Sequence, residues 1–170
     1  DYKFTPLGGN FAEGTVNSNG GFVVEKGEYV YFVNGVQTYT ADNTYGTPVK
    51  GALMRIKKTD VQAHKNTAET VIPSLMVSAD YKSGIYVYGD RVYYATPTNV
   101  KNTSGEVENS YLDFKSAKLD GSDIRDYFRV SKNDTQFRYV QEGEAVYLTY
   151  SQDSELRSYN TASGTETVLA

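Results

Sequence analysis

A chain of 170 residues with 39% hydrophobic content can bury one substantial core, and no Pro/Gly/Ser-rich linker divides it. A formal net charge of -4 leaves no dominant basic surface of the kind that a nucleic-acid backbone or an anionic membrane requires. The absence of cysteine excludes a disulfide framework, a thiolate metal site and cysteine catalysis together.

Sixteen tyrosines and a β-branched apolar complement favour strands over helices. No apolar run is long enough to cross a membrane as a helix. The chain begins at Asp1, which leaves a processed precursor and a trimmed fragment as open readings.

In chain order, residues 1–19 form a leader, and 22–25 and 29–33 read as two short strands around Gly27-Glu28. A long connection, 34–51, leads to a third strand at 53–57. Stretch 59–70 lacks apolar residues at i, i+3 and i+4 and reads as irregular or short, and 69–72 supplies a fourth strand. The same order recurs in 85–88, Gly89-Asp90, 92–96, a connection 97–110, 114–119, the Asp120-Gly121 turn and 125–130. It recurs again in 137–140, Gly143-Glu144, 146–150, 156–159, the Ser163-Gly164 turn and 165–169.

Three copies of one pentad anchor this periodicity: Gly27-Glu28-Tyr29-Val30-Tyr31, Gly89-Asp90-Arg91-Val92-Tyr93 and Gly143-Glu144-Ala145-Val146-Tyr147. Glycine supplies the positive φ of a tight reversal, and the acid keeps the turn wet. The spacings of 62 and 54 residues slightly exceed the roughly 40 to 50 of a propeller blade, as four short strands with loop insertions would. The expected fold is all-β, with three four-stranded antiparallel, blade-like repeats at about 20–72, 83–130 and 135–169 in a single β-propeller-like domain.

Runs such as Val30-Tyr31-Phe32-Val33 and Val92-Tyr93-Tyr94-Ala95 lack polar alternation, so both faces of those strands should be covered. Three blades are fewer than the 4 to 8 of closed propellers, so the outer faces of the first and third should be left open. Continuation into a larger ring, or self-association, is the expected remedy.

A Val-Tyr-aromatic strand after a Gly-acid turn, then a Leu-x-Arg strand and an Asp-Gly turn, resembles the propeller repeat of low-density-lipoprotein-receptor-type proteins. It is more closely similar to their bacterial relatives of unknown function. The segment from Gly9-Asn10 through Asn19-Gly20-Gly21 into Phe22 is similar to the entry of those bacterial propellers, and the resemblance runs from Asn10 onward. The receptor-type Tyr-Trp-Thr-Asp strand stands here as Tyr31-Phe32-Val33-Asn34, Tyr93-Tyr94-Ala95-Thr96 and Tyr147-Leu148-Thr149-Tyr150, with no tryptophan. Receptor-like ligand binding therefore does not carry over. The resemblance implies a secreted or lipid-anchored surface protein of a bacterium, with no catalytic residues to transfer.

Connections 34–51 and 97–110 should emerge on one rim and form the recognition surface. Tyr39, Asp42, Asn43, Tyr45, Asn99, Asn102 and Tyr111 suit stacking on a sugar ring and bonding its hydroxyls, and tolerated surface insertions are the competing account. Lys50, Arg55, Lys57, Lys58 and Lys65 lack interleaved aromatics and read as solvated charge.

His64 is the single histidine, without metal partners or a Gly-x-Ser-x-Gly elbow nearby. Glu28, Asp90 and Glu144 share one turn position and are turn formers rather than a hydrolytic pair. Ser78-Ala79-Asp80 begins like a sialidase Asp box, but Lys82 replaces its glycine. Asp120-Gly121-Ser122-Asp123 lacks the alternating acids of a calcium loop.

The resulting expectation is a non-enzymatic surface module that binds a glycan or protein, with no cofactor and no metal. A structural segment of a larger propeller is the alternative, and a glycoside hydrolase ranks last.

Overall fold

A computed structural model of the protein describes residues 23–34, 49–77, 84–131 and 136–170. The first sheet joins β1 (Val23–Lys26), β2 (Tyr29–Asn34), β3 (Val49–Lys57) and β4 (Glu69–Val77), antiparallel and in that spatial order. One helical turn, α1 (Lys58–Gln62), occupies part of the stretch between β3 and β4. The second sheet holds β5 (Tyr86–Tyr88), β6 (Arg91–Lys101), β7 (Val107–Lys118) and β8 (Arg125–Ser131). The third holds β9 (Phe137–Glu142), β10 (Ala145–Gln152), β11 (Glu155–Asn160) and β12 (Glu166–Val168). The fold is thus all-β, with three four-stranded antiparallel sheets among the described residues, each made of consecutive strands.

The repeated pentad forms the first hairpin of every sheet. Gly27, Gly89 and Gly143 adopt φ of 57°, 59° and 61°, the left-handed conformation that the tight reversals need. Equivalent residues pair in the three hairpins: Val24 with Tyr31, Tyr86 with Tyr93, and Val140 with Tyr147.

One expected loop is not a loop. Of the segment 97–110, residues 97–101 continue β6 and 107–110 open β7, and only 102–106 turn between them. Thr96, Thr98 and Val100 alternate as a strand requires. Pro97 lies beyond the end of β5, where β6 is paired on one side only, a position at which a sheet tolerates proline. Pro73 lies on edge strand β4 next to the register irregularity with β3. Of the other connection, β2 takes Asn34 and β3 takes 49–51, whereas 35–48 lie outside the described residues.

The three sheets stack with the second in the middle. One of its faces, with Ile85, Val87, Val92, Tyr94 and Ala117, packs against Val24, Tyr31, Leu53, Val71 and Ile72 of the first sheet. Its other face, with Tyr86, Tyr93, Ala95, Leu112 and Phe114, packs against Phe137, Tyr139, Val146, Leu148 and Tyr150 of the third. The unalternating run at 92–95 is therefore buried on both sides, as its composition requires.

The second interface is strongly aromatic. Phe114 meets Phe137 edge-on at 5.1 Å, and Tyr139 lies 5.5 Å from Tyr86 and 5.4 Å from Tyr93. Such pairs add about 0.5–1.5 kcal/mol beyond the area they bury. Polar atoms crossing between sheets are paired. Tyr139 Oη donates to the Tyr94 carbonyl at 3.0 Å, Tyr88 Oη to the Tyr139 carbonyl at 3.0 Å, and Arg55 Nη1 to the Leu119 carbonyl at 3.0 Å.

The outer faces differ from each other. On the first sheet, Val30, Phe32, Met54 and Ile56 are partly exposed and Val23 is 50% exposed, an apolar face with no sheet upon it among the described residues. On the third, Val140, Ala145, Tyr147 and Thr149 are partly exposed beside the exposed Arg138.

Candidate functional site

The β6–β7 ribbon projects past β5 and carries the most distinctive polar surface among the described residues. Register puts Thr98 opposite Tyr111 and Asp113 opposite Arg129, so these four share one face, the one turned toward the first sheet. Arg129 Nε donates to Asp113 Oδ1 at 2.6 Å and its Nη2 to Oδ2 at 3.2 Å. The Thr98 hydroxyl donates to the same carboxylate, and the Arg129 guanidinium sits over the Tyr111 ring at 5.1 Å.

Two residues further along β7, Lys115 pairs with Asp126 at 2.7 Å. Between Phe114 and Lys115 the register with β8 slips, leaving Tyr127 as an extra residue between the partners Phe128 and Asp126. The bulge opens a shallow groove of ≈ 370 Å³ lined by Asp113, Lys115, Asp126, Tyr127, Phe128 and Arg129. Its charged side chains present both donors and acceptors at fixed positions, while the rings of Tyr127 and Phe128 pack toward the third sheet. That chemistry suits a hydroxyl-rich or zwitterionic ligand rather than one of a single charge.

The electrostatics keep the Asp113 carboxylate ionised. Burial alone would raise the Asp113 carboxyl, but hydrogen bonds from Arg129 and Thr98 and the Arg129 and Lys115 charges together hold it below the usual carboxylate range. A carboxylate held this way accepts hydrogen bonds and is poorly suited to act as a general acid.

Of the seven residues expected at the rim, Tyr39, Asp42, Asn43 and Tyr45 lie outside the described residues. The other three do not converge. Tyr111 belongs to the face just described, Asn99 lies opposite Ser110 on the reverse face of the ribbon, and Asn102 builds the turn. Asn102 Oδ1 accepts the backbone N–H groups of Ser104 and Glu106 at 2.9 and 3.0 Å, and its own N–H donates to the Glu106 carbonyl at 2.8 Å. Sequence reasoning missed Thr98, Asp113 and Arg129, whose relation appears only with the register of β6, β7 and β8.

Other polar clusters have structural explanations. Arg91 is buried at the base of β6, where its guanidinium donates to Ser116 Oγ at 3.1 and 3.0 Å, to Asp123 Oδ2 at 2.7 Å and to the Asp123 carbonyl at 2.7 Å. Asp120 Oδ1 accepts the N–H and hydroxyl of Ser122 at 2.9 and 2.6 Å. Both acids of that Asp-Gly turn are therefore occupied by their neighbours. Within the basic run, Arg55 pairs with Glu69 and Lys58 with Glu25.

His64 is exposed at φ 53° in the turn that ends α1. Ser78, Ala79 and Asp80 lie outside the described residues. Among the described residues no three His, Cys, Asp or Glu side chains gather as metal ligands, and no helix is long and apolar enough to cross a membrane.

Comparison of the whole chain with known protein families, curated proteins and solved structures found no match.

Proposed function

We propose that this chain is a non-catalytic binding module of propeller-type sheet repeats, secreted or held at a bacterial cell surface, that recognises a glycan. Its contact surface is the rim carrying the β2–β3 connection and the β6–β7 ribbon. Tyr111 lies within that surface and Asn102 closes the ribbon's turn, Asn99 is on the ribbon's reverse face, and Tyr39, Asp42, Asn43 and Tyr45 belong to the connection outside the described residues. The observation that carries the reading is the ordered face of Thr98, Tyr111, Asp113 and Arg129, where an aromatic ring and a bidentate ion pair are pre-positioned on rigid strands.

A sugar ring could replace solvent over this face, its hydroxyls bonding both to the carboxylate and to the guanidinium. The test is a glycan array with the folded protein, repeated with Tyr111→Ala and Asp113→Asn. Binding that both substitutions weaken by about tenfold or more supports the reading. An array blank at all positions refutes it, and capture of a protein by the same surface would reassign the ligand class.

The alternative, a structural segment of a larger assembly, is favoured by a separate observation, the apolar outer face of the first sheet.

A further inference from the structure

We propose that a second copy of this chain docks head to tail on the first, the outer face of its third sheet covering the outer face of the first sheet, and that two copies close a six-sheet ring. The proposal goes beyond glycan recognition and is independent of it.

Its basis is positional equivalence. Counted from the pentad glycine, the third and fifth residues of the second strand point back toward the preceding sheet: Val92 and Tyr94 pack on the first sheet, Val146 and Leu148 on the second. The residue four before the glycine points the same way. There, Ile85 and Tyr139 are each 0% exposed. The equivalent residues in the first sheet are Val30, Phe32 and Val23, and these stay partly or half exposed. Met54 and Ile56 extend the same surface, opposite Phe32 and Val30 in register. This face repeats the apolar pattern that its two counterparts bury against a sheet.

The third sheet carries the matching forward face. The fourth residue after the pentad glycine points forward: Tyr31 packs on the second sheet and Tyr93 on the third. The equivalent Tyr147 is partly exposed, with Val140 directly across from it and Ala145 and Thr149 flanking it along β10, and the same face carries the exposed Arg138 and Glu142 and the partly exposed Ser158 and Asn160. Both interior interfaces join a forward face to a backward face, and among the described residues one of each stays without a facing sheet. A second copy supplies both missing halves by the contact already made twice within the molecule.

Such a contact is heterologous, so it either closes or grows into a filament. Six sheets fall within the four to eight of known closed rings. Closure gives each copy two sheet-on-sheet contacts and takes the apolar outer face of the first sheet out of water.

The test is the mass in solution, by light scattering or sedimentation, of the protein and two surface variants, Phe32→Glu and Tyr147→Lys. Each substitution is on a partly exposed outward position, and circular dichroism verifies that the sheets remain. The expected mass is twice the 18.9 kDa of one chain, with each variant monomeric alone. Mixing the two variants should restore a one-to-one pair, since the forward face of one and the backward face of the other remain intact.

A wild-type monomer at all accessible concentrations overturns the proposal and assigns the cover to residues 1–22 or to further sheets of a longer chain. A dimer broken by Phe32→Glu but not by Tyr147→Lys overturns it in favour of back-to-back pairing of first sheets. Species of three or more copies overturn closure by two. Glycan-array results do not enter any of these outcomes.

Discussion

Replacing Gly121 with alanine tests how closely the first and second sheets approach. Gly121 sits in the β7–β8 turn at φ +85°, and a Cβ built there would lie 2.4 Å from the carbonyl oxygen of Val71 and 3.3 Å from its carbonyl carbon. Val71 belongs to β4, so the clash lies between backbones of different sheets, and no side-chain rotation relieves it. Gly89→Ala is the control, because Gly89 has φ +59° and nothing within 4 Å of its Cβ.

The control should carry only the left-handed backbone cost, about 1–2 kcal/mol. Gly121→Ala should carry that cost plus an overpacking penalty of about 1–3 kcal/mol, for a total of about 2–5 kcal/mol. Displacing the turn would also strain the bond from Arg55 to the Leu119 carbonyl. Urea denaturation of both variants separates the two contributions, with an unchanged slope verifying that the transition is the same. If Gly121→Ala cost no more than Gly89→Ala, the close packing of the β7–β8 turn on β4 would be wrong.

Tyr139→Phe preserves the ring and deletes the donor to the Tyr94 carbonyl; it should cost about 1–3 kcal/mol in urea denaturation, and a neutral result would mean that water replaces the hydroxyl. On the alkaline side, burial pushes Tyr94 up to about 12, and burial together with the Glu166 carboxylate pushes Tyr150 up to about 12. Folded values raised above the ordinary 10 stabilise the fold below pH 10, and that contribution is lost as pH rises toward 12. Phenolate absorbance should therefore rise in two phases, the second coinciding with loss of sheet circular dichroism; one phase with the sheets intact would refute the burial of these rings. On the acid side, Asp113 titrates below its unfolded value, so its contribution is present above about pH 4 and disappears as pH falls below it. Asp113→Asn should flatten that limb of the stability profile, and a limb of unchanged slope would show that the Arg129 pair contributes nothing to acid sensitivity.

The hairpins were legible because two local signals coincide in them. A glycine with an acid marks the reversal, and unbroken apolar runs on either side mark strands that need cover on both faces. The β6–β7 ribbon was not legible for a reason equally local. Pro97 and the polar stretch around Asn102 and Gly105 carry loop composition, yet Pro97 needs no partner on the open side of β6 and Asn102 needs only two residues to close the turn. The site was obscured by distance along the chain. Asp113 and Arg129 are sixteen residues apart, and each alone is an ordinary surface charge. A search for opposite charges at matching strand positions would have flagged the pair, but only after the ends of β7 and β8 were known to within one residue.

The pentad also explains why these sheets do not stand alone. Its valine points to one side of the sheet and its tyrosine to the other, so each copy needs a neighbour both before and after it. Among the described residues only the second sheet has both. Removing the third sheet would uncover Tyr86, Tyr93, Leu112 and Phe114 at once, while removing the first would uncover Ile85, Val92 and Tyr94. Neither truncated form leaves a face that charged residues could make soluble. Unfolding should therefore be cooperative across all three sheets, with the middle sheet as the shared element. Among the described residues this leaves a backward face on the first sheet and a forward face on the third without a neighbouring sheet.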